Sequence, residues 1–269
     1  MNAINLTSFI AEPRTLKVLN DNFVNPVKRA NATLVINFTK RVNAGGVGTA
    51  YDYWFRCALR SSQPGLLESF IGYDHLMSWY GKHSKARKAW KIHASTFSKL
   101  RDGSLKGKDK LFAACLFIAK FEAEFRSGYP VETFSVPRKD LNELKRIAGA
   151  TDLERFRKES LVLNPVFSLK GSRLLIQGDG DIIVDGVLID LKTSSILRLK
   201  ENIRQLIGYW ALNELSPKPH KIERLGVYYP RFGYYVEFMP SELMTNEQQG
   251  KIKMFFRRKL GGGIKIPKN

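Results

Sequence analysis

Residues 181–192 read DIIVDGVLIDLK, the most informative local pattern in the chain. Two short runs rich in β-branched residues are separated by Asp185 and Gly186, a pattern that predicts a β-hairpin with a two-residue type I′ turn. Such a turn sets Val184 opposite Val187, and it thereby determines the register of every pair further from the turn. The first prediction is therefore a tight hairpin of defined register.

The predicted register brings three charged residues together at the open end of the hairpin. Counting outward from the turn, apolar pairs come first, and then Asp181 stands opposite Asp190. Opposed residues of an antiparallel pair point to the same face, with Cβ atoms about 5 Å apart. Lys192 follows Asp190 in the strand alternation and points to that face as well. We therefore expect two carboxylates and one amine to converge there.

Two acids opposite each other in a sheet repel, and partial burial strengthens the repulsion. A hard divalent cation such as Mg²⁺ would turn the pair into a binding site, because Mg²⁺ takes a few carboxylates and keeps several waters. The alternative is structural, an ion triad in which Lys192 alone offsets Asp181 and Asp190. Buried ionic groups add little net stability compared with apolar substitutes and tend to mark functional sites, which favours the cation.

Both faces of the hairpin are largely apolar, which is typical of central, buried strands. The face opposite the charged residues carries Ile182, Val184, Val187, Ile189 and Leu191, and the charged face adds Ile183 and Leu188. We therefore expect packing layers on both sides of this sheet.

Elsewhere the apolar residues recur at helical spacing in the first half of the chain, and the pattern becomes extended after about residue 163. The predicted helices cover residues 49–59, 66–80, 111–125, 140–159 with a potential break near Gly149, and 200–215. The predicted strands cover residues 173–177, 181–185, 187–192, 224–229 and 234–238.

This order of elements predicts an α/β fold, with one α/β core preceded by a mostly helical half. We divide the chain into a basic, mainly helical N-terminal subdomain over residues 1–138, the core over residues 139–245 and a basic C-terminal tail over residues 246–269.

The formal charge of +19 favours a polyanionic partner, with nucleic acid ahead of anionic lipid. Residues 82–110 hold ten Lys or Arg, interleaved with Trp90, His93 and Phe97, a composition that predicts a surface that contacts phosphates and bases. Residues 251–269 hold seven more Lys or Arg and no acid. A solvated helix face can be equally basic, so the charge alone leaves both interpretations open.

The N-terminal residues lack a basic stretch followed by an apolar run, and no segment approaches the length of a membrane span. We therefore expect a soluble, cytoplasmic protein without a membrane partner. The two cysteines, Cys57 and Cys115, lie in apolar helical patterns and are expected to be core residues.

At this point the residues resemble a known family. Asp181, followed on the next strand by Asp190-Leu191-Lys192, resembles the signature of the PD-(D/E)XK nuclease superfamily. Gln205 and Tyr209, four residues apart on the next helix, resemble the QxxxY motif of its RecB-like and lambda-exonuclease-like branch. The resemblance covers about residues 163–238. It departs from the usual pattern in having Gly180 where many members have proline.

This resemblance implies a restriction-endonuclease-like core, in which a helix, a three-stranded antiparallel unit formed by the strands at 173–177, 181–185 and 187–192, a second helix and further strands follow one another. It also implies Mg²⁺- or Mn²⁺-dependent hydrolysis of phosphodiester bonds in DNA, in recombination, repair or defence. Asp181, Asp190 and the Leu191 carbonyl would hold the metal, and Lys192 would orient the attacking water. The implied substrate-binding residues are Gln205, Tyr209, Arg198 and Arg204.

Several alternatives stay open on the sequence. The family often adds a glutamate from an upstream helix, and Glu122, Glu124, Glu154 and Glu159 are all candidates. Exonuclease and endonuclease action, DNA and RNA substrates, and the oligomeric state are not separated. A different class is a nucleic-acid-binding protein that keeps the nuclease fold without catalysis.

Overall fold

The computed structural model describes residues 2–24, 32–37, 39–60, 66–67 and 69–261. The helices in this part of the chain are α1 (Leu6–Ala11), α2 (Pro13–Asp21), α3 (Ala44–Leu59), α4 (Ile71–Trp79), α5 (Lys85–Arg101), α6 (Asp109–Ser127), α7 (Arg138–Gly149), α8 (Leu199–Leu215), α9 (Pro240–Leu243) and α10 (Asn246–Leu260). The strands are β1 (Asn2–Asn5), β2 (Leu161–Leu163), β3 (Val166–Lys170), β4 (Leu174–Asp179), β5 (Ile182–Val184), β6 (Val187–Leu191), β7 (Arg224–Tyr229) and β8 (Tyr234–Phe238). Short 3₁₀ helices lie at Glu154–Phe156 and Pro230–Phe232.

The strands form two mixed sheets, so the predicted α/β class is confirmed. A five-stranded sheet has the order β2-β5-β6-β7-β8, in which only β6 and β7 are parallel. Helix α8 connects these two parallel strands, as parallel neighbours require a crossover. A three-stranded sheet has the order β1-β4-β3.

The β5–β6 hairpin has the predicted register. Val184 pairs with Val187, and Ile182 pairs with Ile189. The turn residues Asp185 and Gly186 have φ angles of 45° and 79°, the two positive values that a type I′ turn requires. The register prediction is therefore confirmed by the strand pairing and by the turn conformation.

Each face of the hairpin packs into a different hydrophobic core, as its two apolar faces predict. Ile182, Val184 and Ile189 join a core built mainly by α3 to α7. Ile183 and Leu188 join a second core with α1, α8 and α10. The charged end of the hairpin thus lies between a helical layer on one side and α8 on the other.

Two predicted elements need correction. The helix predicted for residues 66–80 begins only at Ile71. The predicted strand 173–177 is observed as β4, but it pairs with β1 and β3, so it does not form one unit with β5 and β6. The third strand of the antiparallel unit is β2, which the sequence analysis placed at the end of a helix. Strand β2 is three residues long, too short for its periodicity to be distinctive.

Both ends of the described chain pack against the core. Strand β1 pairs in parallel with β4, and α1 contacts α8. Residues 246–260, predicted as the start of a tail, form α10, which packs on α8 with Ile252, Phe256 and Leu260 buried. These apolar residues recur every four positions among basic ones, a helical pattern that the charge count obscured. The three-region division itself stays a prediction.

The other helical predictions agree with the structure, apart from the second half of one helix. The helix predicted for residues 140–159 ends at Gly149, where a break was expected. The prediction is wrong beyond the break, because only the short 3₁₀ helix Glu154–Phe156 follows it. Cys57 and Cys115 are buried in the core as predicted. None of the described helices combines the length and apolar character that a membrane crossing needs.

Gly72 marks the closest approach of α4 to α6. A Cβ at this position would lie 2.2 Å from the Ile118 carbonyl oxygen and 2.9 Å from the Glu122 backbone nitrogen. Because both are backbone atoms, Gly72→Ala must push the helices apart, and we expect urea denaturation to show a loss of about 1–3 kcal/mol in the free energy of unfolding. Gly149→Ala, where a Cβ meets no described neighbour within 4 Å, is the control and should change it by less than about 1 kcal/mol. Equal stabilities would contradict this close contact.

Candidate active site

The three charged residues of the hairpin meet at its open end. The Lys192 Nζ lies 2.9 Å from Asp190 Oδ1. The Leu191 backbone N–H donates to Asp181 Oδ2 at 2.6 Å, so the Asp181 side chain reaches across to strand β6. Asp181 also acts electrostatically on both Asp190 and Lys192. The predicted convergence of these residues is therefore observed.

Asp190 is a buried acid with one unsatisfied oxygen. Its side chain is 7% exposed, and its Oδ2 has no hydrogen-bond partner among the described residues. Burial raises the pKa of Asp190 to about 7, an effect that Lys192 opposes and Asp181 reinforces. Burial alone would lower the pKa of Lys192, but Asp190 and Asp181 raise it above its ordinary value. Lys192 is thus a cation at neutral pH. It binds Oδ1 of Asp190, whose Oδ2 has no hydrogen-bond partner among the described residues.

Helix α8 brings Gln205 and Tyr209 to the same site. Gln205 Oε1 accepts a hydrogen bond from Lys192 Nζ at 3.3 Å. The Tyr209 hydroxyl donates to the Asp179 carbonyl oxygen at 2.7 Å, and burial together with the Asp181 charge raises the pKa of Tyr209 to about 12. Gln205 therefore contacts Lys192, and Tyr209 contacts the backbone two residues before Asp181.

Helix α3 contributes a charged pair that the sequence analysis missed. Asp52 and Arg56 form a salt bridge on this helix, with side chains 19% and 7% exposed. Burial raises the pKa of Asp52 to about 7, Arg56 opposes the rise, and Asp181 adds to it. The signal was present in the sequence, because charges four residues apart within an otherwise apolar helix are expensive to bury without a role.

Of the four upstream glutamates, Glu122 acts electrostatically on two acids near the candidate site, Asp52 and Asp179. It accepts hydrogen bonds from the Tyr53 hydroxyl and from Arg126. The side chains of the other three lie elsewhere: Glu124 is bound by Tyr80, Glu154 is exposed and paired with Arg157, and Glu159 is exposed.

The two arginines expected to bind substrate occupy different environments. Arg198 is exposed at the start of α8. Arg204 is partly buried, and its Nη1 donates to Asn20 Oδ1 at 3.0 Å, which ties α8 to the residues of α2. Arg198 is thus accessible to a ligand, whereas Arg204 is engaged within the fold.

The aromatic residues of the basic segment 82–110 are core residues, and the expectation that they meet bases is wrong. Trp90 and Phe97 are 6% and 8% exposed. His93 packs on Phe117 with ring centroids 4.8 Å apart, and burial lowers the pKa of His93. These rings form the inner face of α5, because aromatic residues at helical spacing bury apolar area. The lysines on the outer face of α5 are exposed.

A buried ion pair holds the backbone that follows Lys192. Arg231 Nε donates to the Thr193 carbonyl oxygen at 2.6 Å, and its Nη1 donates to Glu143. Glu143 also accepts a hydrogen bond from the Thr39 hydroxyl at 2.5 Å. The end of β6 is thereby connected to α7 in the helical layer.

The oxygen atoms at the open end of the hairpin suit a hard cation that needs few protein ligands. No cluster of three or more His, Cys, Asp or Glu side chains suited to a metal occurs within the residues that the structure describes. Mg²⁺ needs only one or two carboxylates, since it keeps several waters. Asp190 Oδ2 is a buried oxygen without a partner, Asp181 is a second carboxylate, and the adjacent Leu191 carbonyl is a third hard oxygen. These residues therefore fit the metal that the family resemblance implies.

Comparison of the chain with family models, with curated proteins and with solved structures finds no match. The chemistry of the site is therefore inferred from its residues and their geometry. An acid pair and a lysine lie at the open end of the β5–β6 hairpin. Helix α8 adds Gln205 and Tyr209, and helix α3 adds Asp52 and Arg56.

Proposed function

We propose that this protein is a metal-dependent nuclease of the PD-(D/E)XK type, with a restriction-endonuclease-like core, that hydrolyses phosphodiester bonds in DNA. The observation that carries the proposal is the unpartnered Oδ2 of buried Asp190, beside Asp181 and Lys192. A purely structural ion pair would be expected to satisfy both carboxylate oxygens, because a buried polar atom without a partner costs free energy. A bound cation would supply the missing partner.

Asp181, Asp190 and the Leu191 carbonyl would hold Mg²⁺ or Mn²⁺. When bound, such an ion polarises the phosphoryl oxygen and lowers the pKa of a coordinated water. The roles of the protein groups follow from their positions. Asp181 is already oriented by the Leu191 N–H, so its carboxylate does not need to reorganise to serve as a ligand.

Lys192 is suited to orient the attacking water and to stabilise the negative charge that develops on the phosphate. Its raised pKa keeps the ammonium charged at neutral pH, and the contact with Gln205 limits its motion. Tyr209 fixes the backbone of Asp179, two residues before Asp181, and so acts as a positioning residue.

The charge of the whole chain supports a polyanionic substrate. The net charge is +19, and exposed Arg198 lies at the start of α8, close in sequence to the candidate site. Such a field attracts nucleic acid and raises the rate of encounter.

Metal dependence tests the proposal. We expect calorimetry to detect Mn²⁺ binding to the wild-type protein and to show its loss in Asp181→Asn. We also expect cleavage of a labelled linear DNA to stop in EDTA and to return when Mg²⁺ is added. Absence of Mn²⁺ binding, together with tight, salt-sensitive DNA binding, would contradict the proposal and favour a non-catalytic nucleic-acid-binding protein. Parallel assays with RNA of the same sequence decide between the two substrates.

A further inference from the structure

A group of exposed aromatic rings lies on the helical layer outside the candidate active site. Trp79 and Phe125 are 74% and 59% exposed. Both contact His75: the Trp79 ring stacks on it at 5.8 Å with an interplanar angle of 19°, and the Phe125 ring meets it edge-on at 5.6 Å. The His75 side chain itself is only 12% exposed, so it is the shared neighbour of two exposed rings. Single exposed apolar residues are common, but two exposed rings that pack on one shared ring form a larger patch, which is typical of a binding surface. We call His75, Trp79 and Phe125 the aromatic platform.

The aromatic platform is held in place from below. His75 Nε2 lies 3.6 Å from Glu124 Oε1, and the His75 ring packs edge-on against Tyr80. The Tyr80 hydroxyl donates to Glu124 at 2.7 Å, and the Val131 backbone N–H donates to the same carboxylate. His75 Nε2 has no hydrogen-bond partner among the described residues, so ring packing holds His75 against the hydrogen-bonded Tyr80 and Glu124. Rings that are fixed before binding lower the entropy cost of binding a flat ligand.

Positive charge borders the aromatic platform. Arg126 follows Phe125 on α6 and is 61% exposed. Exposed Lys82 and Lys85 follow Trp79 at the start of the basic segment, and the Arg87 Nη1 bond to the Met77 carbonyl oxygen, 3.1 Å long, holds the two helices together here. Exposed rings beside Lys and Arg have the composition of surfaces that bind single-stranded nucleic acid.

The aromatic platform is also connected to the candidate active site. Arg126 Nη2 lies 2.6 Å from Glu122 Oε1, and Glu122 accepts a hydrogen bond from Tyr53 of α3. Arg126 and Asp179 act electrostatically on each other, and Asp179 is two residues from Asp181. The charge of Arg126 at the end of α6 therefore acts on the backbone region that leads into Asp181.

We infer that the aromatic platform stacks an unpaired base of the DNA substrate while Arg126 contacts its phosphates, so that the preferred substrate has a single-stranded or frayed end. This inference rests on the proposed function, because it names the substrate class of the same site. Base stacking on an aromatic ring is tolerant of sequence, since every base has a π face. A fully paired duplex would present its bases to the platform only after unpairing.

Intrinsic fluorescence tests the inference, because Trp79 is the exposed tryptophan. Trp54, Trp90 and Trp210 are all at most 6% exposed, so quenching by added bases reports on Trp79. We expect single-stranded DNA, titrated in EDTA to prevent cleavage, to quench the emission of the wild-type protein. Blunt duplex should quench it far less.

Variants give the matched affinity test. In fluorescence anisotropy with a labelled single strand, Trp79→Ala with Phe125→Ala should weaken binding by about 10-fold or more. Trp79→Phe should keep the affinity and lose the quenching. Met254→Ala, which removes an exposed apolar side chain from α10, should change neither. Circular dichroism should show that the variants are folded, because the substituted side chains are exposed.

The outcomes separate the two proposals. DNA binding without quenching, and with unchanged affinity in the double variant, would overturn the aromatic platform and leave the nuclease proposal intact. Quenching and weakened binding in the double variant would support the platform even if wild-type protein failed to cleave in Mg²⁺, and only the nuclease proposal would then fail. Equal affinity of wild-type protein for single strand and blunt duplex would also overturn the platform.

Discussion

Replacing Asp190 by Asn and Lys192 by Met together is expected to abolish DNA cleavage while the protein stays folded. A metal and a charged group that stabilise the transition state supply several kcal/mol, so turnover should fall by about 10³-fold or more. The two substitutions are combined because removing one partner of this buried pair would leave the other charge uncompensated. Initial rates on labelled linear DNA in Mg²⁺, with binding measured separately in EDTA, check the prediction.

A second double variant controls for loss of an ion pair in general. Lys259 at the end of α10 and Glu12 between α1 and α2 lie 3.3 Å apart, and the Lys259 side chain is 30% exposed, close to the 27% of Lys192. Glu12→Gln with Lys259→Met should cleave at the wild-type rate. Undiminished cleavage by the Asp190 and Lys192 variant would show that the catalytic residues lie elsewhere.

Arg231→Met is expected to lower the free energy of unfolding by up to about 3–5 kcal/mol, because it leaves the buried Glu143 carboxylate paired only with Arg146, whose side chain is 46% exposed. Arg231 and Glu143 have side chains only 1% and 0% exposed. Arg231→Met with Glu143→Leu removes both charges and should recover much of the loss. Urea denaturation at neutral pH, with the m value compared between variants, measures both effects.

The pH dependence of the same pair gives an independent check. Burial would raise the pKa of Glu143, but hydrogen bonds from Thr39 and Arg231 and the charge of Arg231 lower it below its ordinary value of 4.5. A depressed folded-state pKa contributes stability that is present above 4.5 and is lost as the pH falls further. Arg231→Met should therefore weaken the loss of stability on acidification.

The exposed ion pair of Arg157 and Glu154 provides a control. Arg157→Met, at an ion pair with 50% and 77% exposed side chains, should lower the free energy of unfolding by less than about 1 kcal/mol. Equal costs for Arg231→Met and Arg157→Met would contradict a structural role for the buried pair.

Local chemistry explains which elements were predictable. The strands at 224–229 and 234–238 and the hairpin register were predicted in full. Runs of β-branched and aromatic residues bounded by turn residues specify strands without reference to distant contacts. Strand β1 was missed because it pairs with β4 from far along the chain, and no local pattern encodes such a partner. The aromatic residues of α5 were misassigned because the sequence shows their spacing among lysines but not which face of the helix is covered.

The same difference between local patterns and long-range packing applies to the residues of the candidate site. Asp181, Asp190 and Lys192 were predicted together because one turn sets their register. The approach of Asp52 and Arg56 was not predicted, because it depends on how α3 packs over the sheet.

The alignment of two acids and a lysine by a tight turn at residues 185 and 186 follows from the amino-acid sequence, since turn geometry and strand alternation act over only a few residues. The depth at which Asp190 is buried, its unpaired oxygen and the helices around it depend instead on the folded chain. Burial and electrostatic environment depend on packing between segments distant in the chain, so these properties arise only when the helical layer and α8 enclose the sheet.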